Sequence, residues 1–308
     1  MSNTTKSWFL LILLACIWGS SFILMKKGMF TENQLPIFSA AQVGTLRMLL
    51  ASLVLLPLTI INLRKVKSKI DFFYFSIVGF CGSFIPAFLF TYAETGISSG
   101  FAGMMNSFTP IFTIILGFII FNQRLKAIQL YGAGIGTIGI ACLVFSGKQM
   151  ALDANWNHLL AVIFATLLYG ISLNTIKHRL QNYTSSEITS LAFGLLFIPS
   201  LACFVFFDTE QVFLKSKHAS SGFIYIAILA IIGTAFATFI FNGILRISSA
   251  LFASSVTYLI PIVAVFIGIY FNEKITVFQV LSMLIILFGV LVANYWELIF
   301  SKKGLNNS

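Results

Sequence analysis

One cation stands alone inside an apolar run of this 308-residue chain. Arg47 follows Phe38 by nine residues in the segment Phe38–Ile61, so it sits roughly 14 Å deep if that segment is a helix rising about 1.5 Å per residue. At that depth a guanidinium is costly unless it faces a protein interior and finds a partner. Two partners suit its planar fork: the carboxylate of a bound small molecule, or an internal contact with Glu94 or with helix carbonyls.

The other polar and aromatic candidates come in pairs. Trp18 lies ten residues into the segment Trp8–Met25 and Tyr169 eleven into His158–Ile176, each about 15 Å from a membrane face by the same rise. Aromatic side chains at that level line a central site or pack helix against helix. Ser83 and Thr234 form a second pair near the middle of their segments, where a hydroxyl commonly bonds back to its own helix. Asn106 and Tyr258 precede Pro110 and Pro261 by about one turn. Proline has no N–H and displaces the preceding turn, so polar groups beside it become available to a cavity. Candidate substrate contacts are therefore Trp18, Arg47, Asn106, Tyr169, Tyr258, Ser83 and Thr234, with Pro110, Pro261, Glu94 and Glu273 as gating or structural positions.

The acids limit the energetics. All nine, Glu94, Glu187, Glu273 and Glu297 among them, fall at segment ends or in loops, which disfavours a proton cycle through a carboxylate at the membrane centre. Facilitated diffusion, exchange, and proton coupling through Glu94 or through the substrate stay open. A phosphorylated substrate would want more than one cation in a low-dielectric cavity. His158, His178 and His218 have no metal-ligand spacing to one another or to Cys16, Cys81, Cys142 and Cys203. No nucleophile elbow, phosphate loop or paired carboxylates are present, so neither an enzyme nor a cofactor is expected. The cysteines read as small packing residues.

These residues must be positioned by membrane helices. The chain is 58% hydrophobic and 9% charged, with 34 phenylalanines, and cannot coat a soluble surface. Ten segments are apolar enough to span: Trp8–Met25, Phe38–Ile61, Phe72–Tyr92, Gly100–Phe121, Ile128–Phe145, His158–Ile176, Ile188–Phe207, Gly222–Ile244, Ala250–Phe271 and Thr276–Glu297. They lack the alternation of barrel strands, so the fold class is an all-α integral membrane protein of ten transmembrane helices. The net charge of +10 is explained by topology. With the N-terminus cytoplasmic, twelve Lys and Arg fall on the inner side (Lys6, Arg64, Lys65, Lys67, Lys69, Arg124, Lys126, Lys177, Arg179, Arg246, Lys302, Lys303). Six fall outside (Lys26, Lys27, Lys148, Lys215, Lys217, Lys274). Both termini are expected inside, and a nucleic-acid partner is set aside. Leu13-Leu14-Ala15-Cys16 loosely resembles a lipoprotein cleavage box, but an apolar WGSSFILM follows it where a polar tether would be needed.

The chain also repeats itself. WGSSFILMK at Trp18–Lys26 returns as YGISLNTIK at Tyr169–Lys177, and Gly82-Ser83 with Phe88 and Phe90 returns as Gly233-Thr234 with Phe239 and Phe241. Ile97–Ser99, Pro110, Asn122, Gln123, Gln129 and Gly139 are answered by Ile247–Ser249, Pro261, Asn272, Glu273, Gln279 and Gly289. The halves are drawn at 1–147 and 148–308. Five helices in each half make the repeat inverted, an arrangement that suits alternating access.

The IWGSSF run, Ser98-Ser99 with Pro110, and NEKI at Asn272–Ile275 followed by Gln279 and Gly289 resemble the drug/metabolite transporter superfamily, and within it the ten-helix branch with two EamA repeats. The resemblance covers almost the whole chain and implies alternating access and efflux of amino acids or related metabolites across a bacterial inner membrane. It departs at one point: the glutamate expected after the fourth helix is Gln123, whereas Glu273 is kept. The expected partners are a small uncharged or zwitterionic metabolite and the lipid bilayer, with the protein a monomer or homodimer. The alternatives are a multidrug exporter of the same fold, which would want a deep carboxylate this chain lacks, a membrane-embedded enzyme, and a non-transporting membrane subunit.

Overall fold

The computed structural model describes residues 3–123, 127–150, 156–247 and 256–304. These residues form α1 (Asn3–Met29), α2 (Ala40–Leu63), α3 (Lys69–Gly79) and α4 (Ile85–Ala93), then α5 (Ser99–Met105), α6 (Thr109–Phe121) and α7 (Ala127–Met150). The second half contributes α8 (Trp156–Arg179), α9 (Ser185–Phe206), a short α10 (Thr209–Lys215), α11 (Ala219–Ala230), α12 (Ala237–Ile247), α13 (Val256–Tyr270) and α14 (Val277–Gly304). Among the described residues, seven helical stretches are long and apolar enough to cross a membrane, and three shorter apolar helices accompany them, Ala127–Leu143, Leu259–Tyr270 and Val277–Gly289. Large apolar side chains such as Ile119, Ile198, Phe206 and Phe266 are exposed on the outside of the bundle, a surface that hydrocarbon covers and water would not.

Local chemistry sets the helix ends. Ser39 opens α2 with a capping box: its hydroxyl accepts the Gln42 N–H while the Gln42 side chain accepts the Ser39 N–H at 2.9 Å. Thr184 and Glu187 open α9 in the same way. Asn122 and Asn272 close α6 and α13 with φ of 53° and 60°. The N–H groups of Gln123 and Glu273 then reach back to the carbonyls of Gly117 and Gly268 at 3.0 and 2.8 Å, satisfying carbonyls that a helix end leaves open.

Three segments that read as single helices are interrupted. A π-turn at Phe80–Phe84 joins α3 to α4, and a second at Ile231–Phe236 joins α11 to α12. They contain Gly82-Ser83 and Gly233-Thr234, so the interruption recurs at the repeat spacing of 151. In the second, the Thr234 hydroxyl donates to the carbonyl of Leu229, five residues back, at 2.9 Å, and the Gly233 carbonyl accepts the Trp18 indole N–H at 3.2 Å. Backbone groups released by the wider turn are thereby taken up. The third interruption is a 3-10 turn at Asn106–Phe108 that tightens the chain ahead of Pro110, which then starts α6.

Packing follows the duplication. α1 lies against α13, α11 and α12, as α8 lies against α6, α3 and α4, while α2 pairs with α9 and α7 with α14. The last contact is made of glycine: a Cβ on Gly289 would come within 2.7 Å of the Gly132 carbonyl and run into Gly136, so the two backbones touch. One cysteine departs from its expected packing role, since the Cys16 thiol is exposed on the outer face, apolar enough to sit against lipid.

Candidate functional site

The two halves line a chamber of about 160 Å³. Its wall is the repeat made visible. Trp18 and Tyr169, Ser21 and Ser172, Gly82 and Gly233, Ser83 and Thr234, Phe90 and Phe241, and Asn106 and Thr257 all line it, each pair 151 residues apart. The aromatic contacts cross between halves in matching fashion. Trp18 meets Phe241 with ring centroids 5.1 Å apart, and Tyr169 stacks on Phe90 at 5.9 Å. Each π-turn glycine makes room for a serine from the other half: a Cβ on Gly233 would lie 2.9 Å from Ser21 Oγ, and one on Gly82 would strike Ser172.

Arg47 breaks this symmetry. Aligning the capping boxes, Ser39 with Thr184, places Ala192 opposite Arg47, and both line the chamber. The Arg47 side chain is half-buried, with its open surface turned to the chamber. Its Nε donates to Thr234 Oγ1 at 2.8 Å and its Nη1 approaches Met25 Sδ at 3.6 Å. Thr234 passes the interaction on to the Leu229 carbonyl. The internal pair with Glu94 that the sequence allowed is not formed; among the described residues the ion pairs are Lys26–Glu273 and Lys65–Glu187. A guanidinium fixed along one edge by Thr234 keeps donors for an oxyanion in the chamber.

The two ends differ. At one, Glu273 bridges three elements: Oε1 accepts from Lys26 Nζ at 3.1 Å and from the Ser99 N–H at 2.9 Å, and Oε2 accepts from the Gly100 N–H at 2.8 Å. Burial alone would raise the Glu273 carboxyl, but the Gly100 N–H, the Lys26 charge and the Ser99 N–H outweigh it and hold the group below the usual glutamate range. Glu94, at the end of α4, is buried beside this latch. At the other end Gln123, in the position matching Glu273, donates to Asn174 Oδ1 at 3.0 Å and contacts His178 Nε2, a neutral arrangement where the first end has an ion pair. There the chamber also reaches further. Val78, Ile188 and Thr189 line it, and their counterparts Leu229, Val43 and Gly44 do not. The Lys26–Glu273 end is held by an ion pair, and the chamber extends from the middle toward the His178 end.

Six of the seven candidate contacts thus meet in one chamber: Trp18, Arg47, Asn106, Tyr169, Ser83 and Thr234. The side chain of Tyr258 lies outside the described residues; its neighbour Thr257 occupies the position matching Asn106. Pro110 and Pro261 are buried where α6 begins and within α13. Sequence reasoning does not single out Thr109 or Thr189 and reads Asn242 only as a polar helix residue, and all three also line the chamber. Asn242 Nδ2 donates to Thr189 Oγ1 at 2.8 Å, and its Oδ1 is buried without a partner among the described residues. The second serines of the repeated motif, Ser21 and Ser172, were the available signal for the wall itself.

Known proteins place this architecture. The EamA-like transporter family matches residues 6–145 and 156–295. "Protein PagO" of Salmonella typhimurium is 23% identical over 91% of this chain and 90% of its own length. "Uncharacterized inner membrane transporter YedA" of Escherichia coli K12 is 24% identical over 95% and 92%. A "Probable amino-acid metabolite efflux pump" of Salmonella typhimurium is 30% identical over 48% of this chain and 47% of its own. A solved crystal structure at 13% identity aligns over 95% of this chain and 98% of its own with a TM-score of 0.62, which establishes a shared fold. With a chamber built symmetrically from two repeats, and with both repeats matched, the chain belongs to the EamA-like transporter family.

Proposed function

We propose that this membrane protein is a secondary transporter that carries a small zwitterionic or uncharged metabolite, an amino acid or a close relative, outward across a bacterial inner membrane. The observation that carries the reading is Arg47: one guanidinium in an apolar, aromatic chamber, with an edge free of any carboxylate among the described residues. A single cation matches a single substrate carboxylate, while serine, threonine and asparagine hydroxyls and amides offer partners to an ammonium group. The relative named for amino-acid metabolite efflux supports the substrate class.

In this reading the chain spans the bilayer ten times as a 5+5 inverted repeat, 1–147 and 148–308, with both termini cytoplasmic. The Lys26–Glu273 end then faces outside and the His178 end faces the cytoplasm. Exchange of conformations between the halves moves the closure from one end to the other. Trp18 and Tyr169 form the faces against which a substrate packs, Ser83, Thr234 and Asn106 supply polar contacts, and Pro110 and Pro261 fix the bends beside it.

The test is uptake of a whole metabolite extract into proteoliposomes of the purified protein, measured by mass spectrometry against protein-free vesicles. Saturable enrichment of amino acids, lost in Arg47→Gln protein that still folds, is the expected result. No enrichment with or without a pH gradient would refute carriage of this class, and unchanged uptake by Arg47→Gln would refute the role of Arg47.

A further inference from the structure

Glu94 has a chemistry that the chamber does not use. It follows the last residue of α4, and the turn after it is tight: the N–H groups of Gly96 and Ile97 both return to the Ala93 carbonyl at 3.0 Å. Thr95 Oγ1 lies 3.2 Å from His158 Nε2, and Gly96 packs directly on the His158 ring. The turn is thereby pinned against α8, and the Glu94 side chain is folded inward to 2% exposure. Neither of its oxygens has a hydrogen-bond donor among the described residues.

The charged groups facing it are Glu273 from the loop before α14, Lys26 from α1 and Arg47 from α2, with His158 of α8 behind the turn. Among the described residues no cation lies within ion-pair distance: Lys26 is committed to Glu273, and Arg47 bonds Thr234. An ionised carboxylate here would have no donor, a like charge nearby and the negative end of α4 beside it, each of which opposes the charged form. Contrast Glu273 a short distance away, whose oxygens take three donors. Two glutamates at one end of the bundle are set in opposite environments, one built for the anion and one for the acid.

We propose that Glu94 is a proton-binding site of the Lys26-end gate, loaded with one proton when that end is closed and emptied into the adjoining water when it opens. Opening breaks the Lys26–Glu273 contact, admits water and leaves Lys26 free to face the Glu94 carboxylate, so the proton departs to solvent and the ammonium compensates the charge that remains. Closure takes the proton back. In the open form the carboxyl behaves as a hydrated glutamate; in the closed form it holds its proton to higher pH. The Glu94 contribution to closure is therefore fully present below the open-form value of about 4.3 and weakens as pH rises toward the closed-form value, by about tenfold in the open-to-closed ratio per pH unit. The inference rests on the alternating-access reading above and adds the proton as a ligand of the same machine.

Two measurements test it without any transported solute, so its failure stays separate from failure of the transport reading. Both use the full chain in liposomes of phosphatidylethanolamine and phosphatidylglycerol. Infrared spectroscopy at neutral pH should show a protonated carboxyl stretch in the wild type that Glu94→Gln removes. Spin labels at the exposed Asn33→Cys and Lys274→Cys positions, with the four native cysteines replaced, report the Lys26 end by electron-electron distance. Between about pH 5 and about pH 8 the population with the longer distance should climb in the wild type and in Glu94→Asp, and stay low and flat in Glu94→Gln. Absence of a protonated carboxyl in the wild type overturns the proposal, and needs no variant to fold. A pH slope in Glu94→Gln equal to that of the wild type overturns it as well.

Discussion

Replacing Glu273 by glutamine should swing the gate open. The carboxylate accepts three hydrogen bonds, from Lys26 Nζ, the Ser99 N–H and the Gly100 N–H. A glutamine keeps one acceptor oxygen and turns an NH₂ toward a donor, so at least one charge-assisted bond is lost. Such a bond is worth about 1.5–3 kcal/mol, and removing one partner of a buried pair costs about 3–5 kcal/mol. The Glu273 side chain is 6% exposed but that of Lys26 is 27% exposed, so water reclaims part of the lysine charge and the lower range applies. About 2–3 kcal/mol against the closed form shifts the open-to-closed ratio by roughly 30- to 150-fold. The Asn33/Lys274 spin-label pair reads this directly as growth of the longer distance at fixed pH. A ratio changed by less than about threefold, under roughly 0.7 kcal/mol, would show that the latch does not hold the end shut.

Other outcomes follow from the same geometry. Acid should loosen the latch only well below neutral pH: the Glu273 carboxyl is held below its ordinary range, so the stabilisation is present above about 4.3 and is lost as pH falls through the lowered value; the Glu273-dependent part of the spin-label signal should vanish there. Arg47→Lys should weaken amino-acid uptake though it keeps the charge, because an ammonium cannot hold Thr234 and grip a carboxylate as a fork; an unchanged half-saturation concentration would contradict the proposed contact. Gly289→Leu should destabilise the protein by about 1–3 kcal/mol through the α7–α14 contact, seen as a lower midpoint in thermal unfolding monitored by size-exclusion chromatography.

Much of the fold was legible because a bilayer asks little of a sequence: long apolar runs must be helices, and a duplicated run must form a duplicated helix. The chamber wall was legible for the same reason, since pairs such as Trp18 and Tyr169 kept both their spacing and their depth. The π-turns were not. A glycine followed by serine or threonine is unremarkable in a helix, and the wider turn depends on partners far along the chain, Trp18 above all. Asn106 was paired with Tyr258 because both precede prolines, while its counterpart at the repeat spacing is Thr257. The counterpart of Arg47 was hidden because the capping boxes of α2 and α9 are 145 residues apart, against 150 or 151 elsewhere. Glu94 was read as a helix-end residue, which normally means water; only the turn folded onto His158 reveals it to be enclosed.

The paired π-turns also record history. A π-turn holds one more residue than the α-helical turn it replaces, so its simplest origin is a one-residue insertion. Phe80–Phe84 and Ile231–Phe236 occupy matching places in the two halves, and two independent insertions at one place are less economical than one. On that account the insertion predates the duplication, and the single ancestral repeat already carried it. The aromatic contacts across the halves, Trp18 with Phe241 and Tyr169 with Phe90, match one another as the π-turns do. The differences between the ends, glutamate against glutamine and arginine against alanine, belong to the time after the copies were fused and free to diverge.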